Sequence, residues 1–148
     1  LVQTSNFIGF MLEAAAKRQV KEILLLGHIG KMAKVAAGIF YTHNRIGDAR
    51  LETIAAYAAA AGLSQEGVSK VLEANTTEDA LTALEGQGMD FCRRVCNIIA
   101  ARASLRAERY LFGQVQIGTV MLAMDKSLLG LDEKAQKMGE AYGWKLPA

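Results

Sequence analysis

The sequence has almost no proline or cysteine, few aromatic residues and no long apolar run. Pro147 is its one proline, there are two cysteines, and aromatic residues make up 7% of the 148 positions. Two cysteines are too few for a disulfide framework, and no apolar stretch approaches the ~18 residues of a membrane helix, so we expect no membrane partner. Hydrophobic residues nonetheless reach 51%, which excludes a disordered chain. These features predict one folded, soluble domain.

Neither sign of charge is in large excess. The formal net charge is +2 and the isoelectric point is about 8.6, whereas nucleic-acid-binding domains usually have a pI above ~9, so we expect no nucleic-acid partner. The charges are unevenly distributed, because residues 1–50 carry seven Lys and Arg against three Asp and Glu. This basic opening segment suits an anionic ligand; the alternative is that its charges lie on solvated helix faces.

The two cysteines, Cys92 and Cys96, lie four residues apart in a helical pattern and therefore on one helix face. A zinc site would need two more ligands, and the histidines, His28 and His43, are distant in the sequence. We predict buried thiols, no protein-bound metal and a reducing, cytoplasmic location.

Hydrophobic spacing predicts helices that alternate with at least two strands. Asn6 is positioned to cap a helix that continues to Lys17, and the run Glu22–Gly27 is typical of a parallel strand buried on both faces. A second strand is predicted within residues 114–124. Further helices are predicted over residues 32–40, 49–61, 64–73, 77–86, 89–112 and 132–142. We predict an α/β fold: a helix-rich single domain, residues 1–148, around a mainly parallel sheet with Rossmann-like layering.

Residue types that bind or react are concentrated between Gly27 and Glu52. This cluster begins where the first predicted strand ends, the edge of an α/β sheet where ligands commonly bind. Gly27 and Gly30 let a ligand approach the backbone, and Lys31 and Lys34 add positive charge near a helix start. The glycine spacing matches neither a P-loop nor a dinucleotide fingerprint, so an ordinary strand-to-helix turn is the alternative.

The polar segment from Thr42 to Glu52 forms the second half of this cluster. His43 belongs to the residue type that exchanges a proton near neutral pH. Asp48 is a candidate to orient that histidine, with helix capping as the alternative. Arg50 is a candidate to bind a carboxylate through two hydrogen bonds, with simple surface charge as the alternative.

Several strings within residues 5–52 resemble the cobalt-precorrin-5B C1-methyltransferase (CbiD) family. They are Ser5-Asn6-Phe7-Ile8-Gly9, Leu24-Leu25-Leu26-Gly27-His28-Ile29-Gly30-Lys31, Lys34-Val35-Ala36-Ala37-Gly38-Ile39, Thr42-His43, and Asp48-Ala49-Arg50 followed by Glu52. Two positions depart from the family pattern, since Asn44 stands where serine is usual and Gly47 where alanine is usual. Beyond residue 52 the resemblance is mainly one of layout.

This resemblance implies a function. Members of the family use S-adenosylmethionine as a co-substrate to methylate C-1 of cobalt-precorrin-5B, a tetrapyrrole, and give cobalt-precorrin-6A in anaerobic cobalamin biosynthesis. Cobalt takes part only as a component of the substrate. Family chains are much longer, so this chain resembles a C-terminal portion whose partner is the missing N-terminal portion, with a homo-oligomer as a further possibility.

The resemblance also implies roles for the candidate residues, in three sets. The cofactor-binding set is Asn6, Gly27, His28, Gly30 and Lys31. The substrate-binding set is Lys34, Thr42, Arg50 and Glu52, and the catalytic set is His43, His28 and Asp48. Two other functions stay open: a non-catalytic anion-binding or subunit-interface domain, and a generic nucleotide-binding enzyme.

Overall fold

A computed structural model describes residues 1–145, and Pro147 lies outside the described residues. The helices are α1 (Ile8–Lys17), α2 (Ile29–Ala36), α3 (Arg50–Ala60), α4 (Gln65–Leu72), α5 (Thr77–Glu85), α6 (Met89–Tyr110) and α7 (Glu133–Ala141). The strands are β1 (Glu22–His28), β2 (Gln116–Leu122) and β3 (Leu128–Leu131). The α/β class predicted from the sequence is confirmed.

The three strands form one mixed sheet in the order β1-β2-β3. β1 and β2 are parallel and pair without interruption from Glu22 opposite Gln116 to His28 opposite Leu122. β2 and β3 are antiparallel, with an irregular register next to Leu122. The prediction of a mainly parallel sheet is therefore not confirmed. The sequence pattern does not predict β3, because four residues are too few to show an alternation.

Helices cover both faces of β2. α6 packs on β2 and β3, with α2 beside it on the same face, while α7 packs on the opposite face of β2. Alternate residues of β2 divide between the faces, as strand geometry requires: Thr119 hydrogen-bonds to Ser104 of α6 at 2.8 Å, and Gly118 contacts α7. Rossmann-like layering is not confirmed, since one of the two strand pairs is antiparallel.

Two glycines let helices approach the sheet closely. A Cβ atom at Gly118 would lie 2.6 Å from the backbone nitrogen of Ala135 in α7, and one at Gly130 would lie 2.7 Å from the carbonyl carbon of Cys96 in α6. Both neighbours are helix backbone, which cannot rotate out of the way. These two positions therefore set the distances between the sheet and the helices on its two faces.

Side chains of α6 also bind the backbone of the strands. Oδ1 of Asn97 accepts a hydrogen bond from the Leu131 amide at 2.9 Å, and Oε1 of Glu108 accepts one from the Ile117 amide at 3.0 Å. The Leu131 amide points away from β2, so Asn97 covers the outer edge of β3.

Several helices begin where the sequence predicts. Ser64, Thr76 and Asp132 accept hydrogen bonds from backbone amides in the first turns of α4, α5 and α7. At α5 the carboxylate of Asp79 also accepts from the Thr76 amide, which completes a capping box.

Two predictions near the first strand are wrong. Asn6 does not cap α1, because Phe7 occupies the N-cap position and Oδ1 of Asn6 instead accepts a hydrogen bond from Thr42 Oγ1 at 3.1 Å. The second helix does not cover residues 32–40. It begins at Ile29, directly after β1, and ends before Gly38, whose φ of +84° is incompatible with a continuing helix.

β1 occupies its predicted position but is not buried on both faces. Leu25 is the one buried residue of the strand, and Leu26 is 53% exposed. Among the described residues β1 pairs with β2 alone. The apolar run that predicts a central strand therefore lies at the edge of the sheet.

The hydrophobic core lies between the sheet and α6 and continues among α3, α4 and α5. Cys92 and Cys96 are buried in it as free thiols, as predicted. Across residues 1–145, no helix has both the length and the hydropathy to cross a bilayer.

Gly118→Ala is expected to lower the free energy of unfolding by about 1–3 kcal/mol, because the added methyl group forces α7 away from β2. Gly30→Ala is the matched control, since its Cβ atom would lie 3.6 Å from its nearest neighbour, an ordinary contact. Urea denaturation followed by circular dichroism measures both values. Equal losses in the two variants would contradict the steric explanation.

Candidate functional site

An open cavity of about 440 Å³ lies where β1 ends and α2 begins. Its walls come from the N-terminal segment, the β1–α2 junction, the segment after α2, the first residues of α3 and α5, and the loop after β2. The lining residues are Asn6, His28, Gly30, Lys31, Lys34, Thr42, His43, Asn44, Arg50, Thr77, Glu78 and Met124.

The structure brings most of the candidate residues together at this cavity. Eight of the eleven line it: Asn6, His28, Gly30, Lys31, Lys34, Thr42, His43 and Arg50. Gly27 lies outside the lining, where a Cβ atom would meet the terminal methyl group of Met32 at 2.9 Å. Asp48 lies outside it as the ion-pair partner of Arg50, and Glu52 is exposed on α3.

Four lining residues are absent from the sets predicted from sequence: Asn44, Thr77, Glu78 and Met124. Thr77 and Glu78 form the first turn of α5, which the sequence locates correctly along the chain. No local pattern indicates that this turn faces the end of β1, because that contact depends on how α5 packs against α3 and α6.

Lys34 is buried and bridges two parts of the cavity wall. Its Nζ donates hydrogen bonds to the carbonyl oxygen of Thr42 at 2.7 Å and to Oδ1 of Asn44 at 2.5 Å. The side chain is almost entirely shielded, with the residue 2% exposed. Burial lowers the pKa of Lys34; the charge of Asp48 opposes this shift, and the charge of Arg50 adds to it. Lys34 therefore holds the segment carrying His43 against α2.

Asp48 and Arg50 form an ion pair at the start of α3. Nε and Nη2 of Arg50 donate to the two carboxylate oxygens of Asp48, each at 2.8 Å. These bonds lower the pKa of Asp48 and raise the pKa of Arg50. Two of the guanidinium donors that could bind a ligand carboxylate are thus already occupied by a carboxylate of the protein.

The two histidines of the cavity differ in their tautomers. Nδ1 of His28 lies 3.1 Å from the carbonyl oxygen of Ala123, and because a carbonyl only accepts, this nitrogen carries the proton. Nδ1 of His43 accepts a hydrogen bond from the Arg45 amide at 3.2 Å, so the neutral ring carries its proton on Nε2. Neutral His28 therefore has a free lone pair on Nε2, whereas neutral His43 has a donor at that position.

The start of α2 contributes backbone donors to the cavity. Its N-cap residue, His28, makes no capping hydrogen bond, and no acidic residue occupies the first turn. Amide groups in the first turn of a helix lack intrahelical acceptors and lie at the positive end of the helix dipole. Together with Lys31, whose Nζ also donates to the Ser5 carbonyl oxygen at 3.0 Å, this turn favours an anionic group.

Lys34 is expected to make stability depend on pH. Its pKa is lower in the folded chain than its unfolded value of 10.5, so between these two values the unfolded chain binds more protons, and the free energy of unfolding rises with pH. We expect the stability of the wild type, relative to Lys34→Met, to increase as the pH approaches 10.5.

Urea denaturation at a series of pH values measures this difference. Lys31→Met, on the same helix, is the control that subtracts the effect of removing one positive charge. A wild-type advantage over Lys34→Met that stays constant with pH, after this subtraction, would contradict the prediction.

Comparison with known proteins identifies the family. A family model described as the CbiD C-terminal domain matches residues 41–133. The cobalt-precorrin-5B C(1)-methyltransferase of Moorella thermoacetica is 45% identical over 144 residues, which cover 97% of this chain and 39% of that protein. The protein of the same name from Desulfitobacterium hafniense is 39% identical over 147 residues, 99% of this chain and 37% of that protein. No solved structure matches the chain.

The similarity extends well beyond residues 5–52, where the resembling strings lie, and covers nearly all of the chain. The chain spans about 37–39% of the length of these two relatives. Because the family model matches more than half of its residues, the chain belongs to the CbiD family.

Proposed function

We propose that this chain is part of an enzyme that transfers a methyl group from S-adenosylmethionine to C-1 of cobalt-precorrin-5B. The product is cobalt-precorrin-6A, in the anaerobic route of cobalamin biosynthesis, and cobalt is present only as part of the substrate. One observation carries the proposal: a basic cavity at the end of β1 is lined by eight residues that the family resemblance selects, in a chain whose relatives are named for this reaction.

The size and charge of the cavity favour the methyl donor as its occupant. A volume of about 440 Å³ is typical of small-molecule pockets, which range over ~300–1,000 Å³. Lys31, Lys34 and Arg50 line it together with one carboxylate, Glu78. The carboxylate of S-adenosylmethionine matches the uncapped start of α2, and the acetate and propionate groups of a macrocycle at the rim match the exposed part of Arg50.

Methyl transfer requires positioning more than a reactive side chain. C-1 of the macrocycle supplies the electron pair of the new carbon–carbon bond, the sulfur–methyl bond breaks, and its electron pair returns to sulfur. The positive charge of the sulfonium thereby passes to the macrocycle, which loses a proton to become neutral. Holding the sulfur, the methyl carbon and C-1 in line can supply ~7–11 kcal/mol of the barrier.

The tautomers divide the proposed catalytic roles between the two histidines. His28, whose Nε2 lone pair is free, is the proposed acceptor of the released proton. His43, whose neutral ring carries a proton on Nε2, is proposed to donate a hydrogen bond to S-adenosylmethionine or to the macrocycle. Asp48 acts on neither ring directly, because its carboxylate is bound to Arg50, so its proposed role is to orient Arg50.

The rest of the family chain is the proposed partner. Each relative extends well beyond the residues that match this chain, and a macrocycle needs more surface than the cavity offers. We place the enzyme in the cytoplasm, a location supported by the two buried thiols, Cys92 and Cys96, which are not joined in a disulfide.

Isothermal titration of the 148-residue chain with S-adenosylhomocysteine, with ATP and NAD as controls, tests the donor site. We expect selective binding of S-adenosylhomocysteine. Lys31→Ala should weaken it at least about ten-fold, because a hydrogen bond to a charged group contributes about 1.5–3 kcal/mol. Lys70→Ala, on the exposed side of α4, is the matched control. Preferential binding of ATP or NAD would refute the proposed donor site.

The histidine roles are tested in a chimaera in which these 148 residues replace the matching segment of the Moorella thermoacetica protein. His28→Ala should lower the single-turnover rate of methyl transfer by about 10²-fold or more, the usual contribution of a general base, and should change this rate more than the affinity for S-adenosylhomocysteine. His43→Ala should change affinity more than rate. Full turnover by the His28→Ala chimaera would rule out the proposed base.

A further inference from the structure

One hydrogen-bonding edge of β1 pairs with no other strand within the described residues. The Gln116 amide donates to the Lys21 carbonyl oxygen at 2.9 Å, which fixes the orientation of the parallel ladder. Because amide and carbonyl groups alternate in direction along a strand, Ile23 and Leu25 bond to β2. Leu24 and Leu26 direct their backbone groups to the opposite side, where the described residues provide no strand.

The two edges of the sheet are built differently. β3 is four residues long, adjoins a register irregularity, and has its outer Leu131 amide bound by Asn97. Short length, irregular pairing and side-chain cover are features by which proteins block unwanted strand pairing. β1 is seven residues long, pairs in unbroken register, contains no proline and carries a charged residue only at its start, Glu22. It is therefore built as an internal strand.

The side chains of β1 support the same conclusion. Leu26 lies opposite Val120, on the sheet face that α7 covers. Val120 is buried against Ala135 of α7, and Leu24 packs against the same cluster, but Leu26 stays 53% exposed. Strands with a near-continuous apolar sequence are normally covered on both faces, so one apolar contact is missing above Leu26.

We propose that the open edge of β1 and the side chain of Leu26 bind a β-strand from the part of the CbiD-family chain that lies outside these residues. The relatives are long enough to include such a strand, because about 61–63% of their length lies outside the part that matches this chain. Main-chain hydrogen bonds to Leu24 and Leu26 provide the pairing, and an apolar side chain covers Leu26. This inference specifies the surface used by the proposed partner, and its test does not depend on methyl transfer.

The added strand also reaches the cavity. β1 ends at His28 and α2 begins at Ile29, with no loop between them. A strand paired along β1 therefore has one end beside the cavity rim. Residues at that end are then in position to contribute to the site, which gives the pairing a role in forming the complete substrate-binding surface.

Amide hydrogen exchange in the chimaera, followed by NMR, tests the pairing. The amides of Leu24 and Leu26 should be protected to the same extent as those of Ile23, Leu25 and Gly27, at every protein concentration. In the separate 148-residue chain, Leu24 and Leu26 should exchange at least about 100-fold faster than the other three, because their amides lack a backbone partner that must open before exchange. Rapid exchange of Leu24 and Leu26 in the chimaera would overturn the proposal, as would protection that rises with concentration, which would identify a second copy as the occupant.

Leu26→Lys tests the apolar contact, with Leu72→Lys as the matched control because Leu72 is 49% exposed on α4. In the chimaera, Leu26→Lys should lower the melting temperature by several degrees more than Leu72→Lys and should speed exchange at Leu24. Equal melting temperatures and unchanged exchange at Leu24 would show that nothing covers Leu26.

Discussion

The close packing of the sheet on the long helix α6 determines the rest of the structure. At Gly130 no side chain separates the backbone of the sheet from the backbone of α6. Asn97 and Glu108 then bind strand amides directly, and Ser104 bonds to Thr119. α2 packs along the same helix, so the position of its first turn depends on α6 as well. The geometry of the cavity is thus a consequence of how the core is packed.

The positively charged side chains of the cavity hold its wall in place, and they are also the proposed binding groups for an anion. Moving the Lys34 ammonium out of water is unfavourable, and two oxygen acceptors at 2.5–2.7 Å offset that cost. Arg50 is likewise bound to Asp48, and Lys31 to the Ser5 carbonyl oxygen. These cations therefore fix the wall of the cavity, so the donors are already in position for the anion that we propose as its ligand. Preorganised donors of this kind need little rearrangement when a charged ligand binds.

Features encoded by neighbouring residues could be predicted from the sequence, and those encoded by distant contacts could not. Caps at Ser64 and Asp132 and the periodic apolar positions of α6 locate those elements. Asparagine is a residue type that commonly caps helices, but the side chain of Asn6 bonds to a residue 36 positions away in the sequence. Glu78 joins the site through the packing of α5. The apolar sequence of β1 predicts a strand buried on both faces, but within the described residues β1 lies at the edge of the sheet and Leu26 is exposed.

The direct junction between β1 and α2 links the proposed strand pairing along β1 to the proposed ligand binding at the cavity. A loop would absorb a displacement of the strand, whereas here His28 ends the strand and Ile29 begins the helix. Anything that orders the strand also restricts the first turn of α2, whose amides are the proposed anion donors. Thermodynamic linkage then requires reciprocity: if assembly of the longer chain tightens ligand binding, the bound ligand stabilises the assembly by the same free energy.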